Sequence, residues 1–251
     1  MKKIVWRLIV PIAVIVGWHI LYSTRWYSPL LLPAPVAVGR ALISLFFSGP
    51  LFVSRDALAT VYRMGIGLLF GVSSGLILGI FMGSWKIADQ LASGPVDFLR
   101  SIPATALLPL FLLFLGVGDA AKIAPVVLVV ALIMTVQTAQ GIKQTEPTRL
   151  SAARIMGFSR WQIFRRVLFF EVLPAITTGI KISLSFGLIL VVVSEMFVGT
   201  QYGLGKRILE AQLLYHTDEL YAFIIFTGFL GYCINAGFNF FEIRLVHWAG
   251  K

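Results

Sequence analysis

The sequence predicts an all-α polytopic membrane protein with about six transmembrane helices and, between the fourth and fifth, a polar helical elbow on the cytoplasmic side. Three observations carry that expectation. Hydrophobic residues make up 58% of the chain and charged residues 13%, with a mean hydropathy of +0.89, far from the makeup of a soluble globular domain. The apolar residues gather into six long stretches. The basic residues favour one set of alternate connections over the other, as the bias toward cytoplasmic Lys and Arg requires. A bilayer core of about 30 Å needs about 20 apolar residues per helix. The 251 residues therefore hold five or six spans with short connections and leave no room among them for a soluble catalytic domain.

The first stretch, residues 1–22, opens on Lys2 and Lys3 and then turns apolar. It has the outline of a secretory signal peptide. Ala13, Gly17, Ser23 and Thr24 provide no small-x-small cleavage site, however, so it reads as a retained first span. Residues 23–58 carry Pro29, Pro33, Pro35 and Pro50 and read as an external connection with a short interfacial helix near residues 42–47. The second span, residues 59–83, places Gly67, Gly71, Gly75, Gly79 and Gly83 four apart. In lipid, helix association depends on close backbone approach, so this smooth stripe predicts a packing seam, and a smooth seam can also slide. The third span, residues 91–115, is interrupted by Pro103 and Pro109, each without a backbone donor. Carbonyls freed at membrane depth need protein or water around them, which puts this segment inside the bundle, either lining a pathway or packing against other helices. The remaining spans are expected at residues 120–140, 176–198 and 220–243, with Cys233 as a core residue.

With the amino terminus inside, seven of the 21 basic residues fall outside: Arg25, Arg40, Arg55, Arg63, Lys122, Lys206 and Arg207. The other fourteen fall inside, so both termini are expected to be cytoplasmic. Topology thus accounts for the net charge of +10; lipid, and no nucleic acid, is the expected partner of this surface.

Residues 141–173 are the most basic part of the chain and too polar to cross a membrane. Thr145 is placed to cap a helix opening near Pro147, Gly157 to end it in a left-handed conformation, and Ser159 to start another. Ser159 and Gln162 form a capping box, with Phe158 and Ile163 as its hydrophobic staple. Trp161, Phe164 and Leu168 share one face of the second helix and Arg166 lies nearly opposite. The pattern predicts helix, sharp bend, helix. Such an elbow can be gripped by another protein; the competing reading is a basic amphipathic loop resting on anionic lipid.

The run Leu150-Ser151-Ala152-Ala153-Arg154-Ile155-Met156-Gly157-Phe158-Ser159-Arg160-Trp161-Gln162-Ile163-Phe164-Arg165-Arg166, followed by Leu173-Pro174, resembles the EAA loop of binding-protein-dependent ABC importer permeases. The similarity extends to Leu99-Arg100-Ser101-Ile102-Pro103, Ala106-Leu107-Leu108-Pro109-Leu110, Glu195-Met196 and Gly203-Leu204-Gly205, covering about residues 31–244. Leu32-Pro33-Ala34-Pro35 is similar to the opening of the nitrate, sulfonate and taurine branch. The resemblance implies a single transmembrane permease domain over residues 1–251, with a coupling loop at about 142–174. It implies a non-catalytic subunit that forms an alternating-access pathway for a small solute, such as nitrate, a sulfonate or taurine, in the bacterial inner membrane. Its coupling helix would dock in a groove of the ATPase through Ser151, Ala152, Ala153, Arg154, Gly157, Phe158, Ser159 and Trp161. The implied partners are two ATP-binding cassette subunits, a periplasmic or extracellular solute-binding protein, and a second permease copy in a homodimer or homologous heterodimer. ATP and Mg would be bound by the partner ATPase, and no cofactor or metal by this chain. Two positions depart from the family pattern: Ser151 stands where Glu is usual, removing a charged contact, and Phe170 stands where a first Pro is common, which lets the second helix run unbroken to Leu173.

Catalytic patterns are not found. The nearest phosphate-loop candidate, Gly205-Lys206, has Thr200 in place of the first Gly and Arg207 in place of the Ser or Thr that reaches magnesium, so no ATP site is expected. His19, His216 and His247 show no metal-ligand spacing. A membrane-embedded enzyme would need a clustered nucleophile, acid and base. An ion-gradient-driven secondary transporter would need paired midplane carboxylates or inverted repeats. Among ionisable residues within spans, Lys181 can snorkel. Arg63, Pro103, Ser194 and Glu195 are the candidate pathway residues, with Arg63 and Glu195 toward outer span ends, where they either line the outer mouth or form a structural ion pair.

Overall fold

The computed structural model describes residues 2–47 and 50–246; His247 lies outside them. Every regular element among the described residues is helical: α1 (Lys2–Ser23), α2 (Pro35–Phe47), α3 (Pro50–Ser84), α4 (Lys86–Ser101), α5 (Leu108–Leu115), α6 (Asp119–Lys143), α7 (Pro147–Ile155), α8 (Arg160–Ile163), α9 (Phe169–Phe197), α10 (Leu204–Leu213) and α11 (Thr217–Leu245). A 3₁₀ turn, Ala104–Leu107, precedes α5, and a π turn, Phe164–Leu168, joins α8 to α9. In hydrocarbon each backbone donor and acceptor must be satisfied within its own segment, and the helix does this.

Among the described residues, four helices are long and apolar enough to cross a membrane: Val53–Ser84, Asp119–Lys143, Trp161–Phe197 and Thr217–Leu245. The pair Lys86–Ser101 and Ala104–Leu115 forms a fifth only if taken together across a bend of 87°. Within the first helix the stretch Ile9–Ser23 is apolar but short, so among the described residues four spans, or five with the bent pair, stand against the expected six.

Several boundaries also move. α3 begins at Pro50, well before the expected start at residue 59. Proline is tolerated in a first helical turn because its missing donor would have no partner there, and Asp56 finds a use described below. The third segment breaks at Ile102 and Pro103, whereas Pro109 sits at the start of α5. Pro125 and Pro174 lie within α6 and α9 without ending them. Cys233, expected in the core, is exposed on α11. An apolar residue in a membrane helix can face lipid as readily as protein, so hydrophobicity alone does not place it inside.

The chain divides into two compact units, residues 1–59 with 201–230, and residues 60–200 with 231–251. In the first, the Trp18 indole donates to the Pro33 carbonyl at 3.1 Å and stacks on Tyr221, with ring centres 5.4 Å apart. Phe46 meets Phe226 edge to face. The fully buried Asp56 carboxylate accepts from the Gly203 backbone N–H and from Arg207 Nε, both at 2.7 Å, and so closes the start of α10.

In the second unit the glycine stripe of α3 lies directly on α6. A Cβ at Gly67, Gly71, Gly75, Gly79 or Gly83 would stand 2.5 to 2.7 Å from Val126, Val130, Ala131, Thr138 or Ile142 respectively. No side chain fits between the two backbones. α6 meets α9 through the same device, since Gly141 faces Ala175 and Val172 while Gly179 faces Met134 and Gln137. Val126, Val130, Met134 and Val191 form the fully buried centre.

Candidate functional site

The elbow is built from local signals. Pro147 occupies the first position of α7, and the residue before a proline is pushed to extended backbone. Glu146 therefore takes the cap position with φ −67° and ψ 120°. Thr145, the expected cap, is one residue too early, and its hydroxyl instead donates to the Gly141 carbonyl at 3.4 Å. The far end of α7 closes as expected. Gly157 has φ +77°, its N–H donates to Arg154 O at 3.0 Å, and the Phe158 N–H donates to Ala153 O at 3.1 Å, the paired bonds of a Schellman turn. The capping box forms on the other side of the bend. Ser159 N–H donates to Gln162 Oε1 at 2.8 Å and Gln162 N–H donates to Ser159 Oγ at 3.3 Å.

From Trp161 the chain continues as one helical run to Phe197, so the second elbow helix does not stop at Leu173 but becomes the next span. Phe164 and Leu168 face Ile80, Ile142, Val172 and Ile176. Trp161 stacks on Phe164, with centres 5.7 Å apart, yet is itself 67% exposed. Arg166 lies over the Phe158 ring at 5.6 Å. Arg149 donates to Glu171 Oε1 at 2.7 Å and pairs with Glu146 at 3.2 Å, tying α7 to α9. The hydrogen bond to Glu171, with the attraction of Glu171 and Glu146, raises the Arg149 pKa further above its ordinary value.

Among the residues expected to couple, Ser151, Ala152, Arg154, Gly157, Ser159 and Trp161 are exposed, Phe158 is half-buried, and Ala153 is buried. Two residues outside the expected set stand out: Ile155, 87% exposed, and Met156, 71% exposed. Their signal in the sequence is their position, for they close the last turn of α7 beside the left-handed glycine, where the chain turns away and cannot cover them.

The candidate pathway residues separate. Arg63 and Glu195 are buried and paired with each other, Arg63 Nη1 donating to Glu195 Oε1. Arg63 also donates to Asp119 Oδ1 at 2.8 Å and to Thr200 Oγ1 at 3.0 Å, and the Thr60 hydroxyl donates to the Glu195 carboxylate at 2.9 Å. Lys122, also buried, lies 3.8 Å from Asp119 and donates to the Gly118 carbonyl. This geometry supports the structural-pair alternative for Arg63 and Glu195. Ser194 is buried, its hydroxyl bonded to the Leu190 carbonyl. Lys181, read as snorkelling alone, reaches Glu242 at 3.2 Å.

Pro103 takes a different place. It lines an open cavity of about 510 Å³ between the α4–α5 break, α6 and α9, with Arg100, Thr105, Leu132, Gln137 and Phe186 among its walls. Membrane-length helices α6 and α9 wall this cavity, the architecture of a multi-pass membrane protein.

The sequence matches the family described as binding-protein-dependent transport system inner membrane components over residues 75–246. A probable ABC transporter permease protein of Brucella melitensis biotype 1 is 32% identical over 232 residues, covering 92% of each chain. A putative aliphatic sulfonates transport permease protein of Bacillus subtilis is 28% identical over 241 residues, covering 96% of this chain and 86% of that one. A solved structure of a methionine ABC transporter in an inward-facing conformation superposes with a TM-score of 0.67 at 22% identity, over 77% of this chain and 95% of that one, and shares the fold. The chain belongs to the family of binding-protein-dependent transport system inner membrane components and is a non-catalytic permease subunit of ABC importers. The resemblance to the nitrate, sulfonate and taurine branch holds, since relatives bearing all three names align with it.

Proposed function

We propose that the elbow, residues 147–163, is the site at which ATP-binding cassette subunits push on the permease. The observation that carries this is the exposure of Ile155, Met156 and Trp161 on a rigid bend. Fully burying an Ile or Met side chain is worth about 1.5–3 kcal/mol, so a groove that covers these side chains gains affinity at the point of leverage. Arg154 stands exposed in the same stretch and Ser151, Ala152, Gly157, Phe158 and Ser159 shape it. The Schellman turn and capping box favour a protein groove over a lipid surface, because they hold a protruding knob rather than a flat apolar face.

In this reading two such ATPases bind ATP and Mg, a second permease copy, identical or homologous, completes the pathway, and an external solute-binding protein delivers the cargo. The chain then lies in the bacterial inner membrane with both termini cytoplasmic, as the distribution of Lys and Arg supports. The cavity beside Pro103 is the pathway wall. Arg63, Ser194 and Glu195 act as the lock that fixes the outer ends of α3 and α9. The solute is a small anion, which the sulfonate, taurine and nitrate names of the relatives support.

The test is capture of the ATPase from membrane extract by tagged permease. Trp161→Asp and Gly157→Pro are each expected to abolish capture while leaving the permease folded; full capture by both variants refutes the docking site.

A further inference from the structure

We propose that the cavity beside the Pro103 break is an anion subsite within the permease, in which Arg100, assisted by Gln137 and Thr105, holds the oxyanion head of the solute in transit. The proposal rests on the small-anion reading above and adds the residues that recognise the charge.

The cavity volume of about 510 Å³ suits a small organic anion, since ligand sites commonly enclose roughly 300–1,000 Å³. Its walls are mostly apolar, with few polar groups, the usual composition of a ligand site. Among the described residues, Arg100, at the end of α4, is the one charged residue lining it. Four other cations within the helices of this unit are paired elsewhere. Arg63 and Lys122 belong to the cluster that holds Glu195, Lys143 pairs with Asp89 at 2.6 Å, and Lys181 pairs with Glu242 at 3.2 Å. Arg100 is 3.6 Å from Asp97, one turn back on its own helix, with the two side chains 48% and 71% exposed. A pair of that length and exposure contributes little and leaves the guanidinium fork available.

That fork matches two oxygens of a sulfonate, nitrate or carboxylate, which a lysine would meet only as a point charge. The Gln137 amide and the Thr105 hydroxyl supply neutral donors. The stem of Gln137 packs over Gly179, which holds α6 close to α9 and keeps Gln137 at the cavity wall. Partial exposure of Arg100 keeps the site shallow, and a transit site must release what it binds.

The experiment measures uptake of radiolabelled ethanesulfonate, nitrate and taurine by vesicles carrying the full importer complex. Arg100→Gln is expected to lower anion uptake roughly tenfold or more, the scale of one lost charge-assisted bond. ATPase capture and ATP hydrolysis stimulated by the binding protein should persist. Arg100→Lys should retain part of the transport, and Asp97→Asn should transport at least as well as the unaltered protein. Wild-type uptake of Arg100→Gln overturns the subsite and leaves the small-anion reading standing. Loss of ATPase capture together with uptake overturns it in favour of a structural role. An unaltered complex that imports none of the three probes overturns both readings at once.

Discussion

The cluster around Arg63 and the elbow around Gly157 both concentrate arginine, and they treat it in opposite ways. Arg63 is 5% exposed and Glu195 is 1% exposed, with Asp119, Thr60 and Thr200 completing their bonds. At the elbow Arg154, Arg165 and Arg166 are exposed, and Ile155, Met156 and Trp161 stand in solvent beside them. Charge withdrawn from solvent locks α3, α6 and α9 together, because separating the partners would strand an ion in a low-dielectric interior. Apolar groups left in solvent do the reverse, as they store a favourable contact that only another molecule completes. One region holds the helices still, and in the function proposed above the other is the part that is moved.

Four substitutions test this contrast, from the largest expected effect to the smallest. Glu195→Gln leaves Arg63 with Asp119, at 2.8 Å, as its remaining carboxylate partner; breaking a buried pair costs about 3–5 kcal/mol when the other charge is left unpaired, and this cluster loses a large part of that. Thermal unfolding in detergent should show a marked drop, while the molecules that fold still capture ATPase. An unchanged unfolding midpoint would mean that the cluster is not a lock.

Gly75→Leu forces atoms into the seam, where even a Cβ would be 2.5 Å from the Ala131 carbonyl. Overpacking of this kind costs roughly 1–3 kcal/mol. Gly65→Leu, one helical position with open space around it, serves as the control and should unfold like the wild type. Equal behaviour of the two variants would remove the seam from the account.

Gly157→Ala places a Cβ at φ +77°, a strain of about 1–2 kcal/mol. Because the strain is local, amide exchange at Phe158 should accelerate while the span amides keep their protection. Trp161→Ala should leave stability within about 0.5 kcal/mol of wild type, as surface substitutions do, and yet lose ATPase capture. Normal capture by this variant would blur the distinction between the two regions.

Sequence legibility followed the same division. Gly157, Ser159 and Gln162 act through bonds to residues three to five positions away, and the glycine stripe of α3 is a spacing on one helix, so each could be read directly. The Arg63 cluster joins Thr60, Arg63, Asp119, Lys122, Glu195 and Thr200, which are scattered along the chain. Only Arg63 and Glu195 could be singled out, by the cost of placing charge in a span. Asp119 and Lys122 carry a weaker trace, an i,i+3 pair at the start of an apolar helix. The exposure of Cys233 and the early start of α3 were hidden for a different reason. Lipid and protein interior look alike to an apolar residue, and a polar stretch such as Ser54-Arg55-Asp56 continues a helix when its carboxylate closes another element.

The wide turn at Phe164–Leu168 keeps an aiming angle. A π turn holds one residue more than an α-helical turn, and each residue of an ordinary helix advances about 100°. Because a π turn absorbs its extra residue as a local widening, excising one residue there would let the run close as an ordinary α-helical turn and keep the bearing of Ile155, Met156 and Trp161 around the span. The same excision within the regular helix beyond it, at residues 169–173, would swing them by about 100°, leaving a well-formed handle aimed elsewhere.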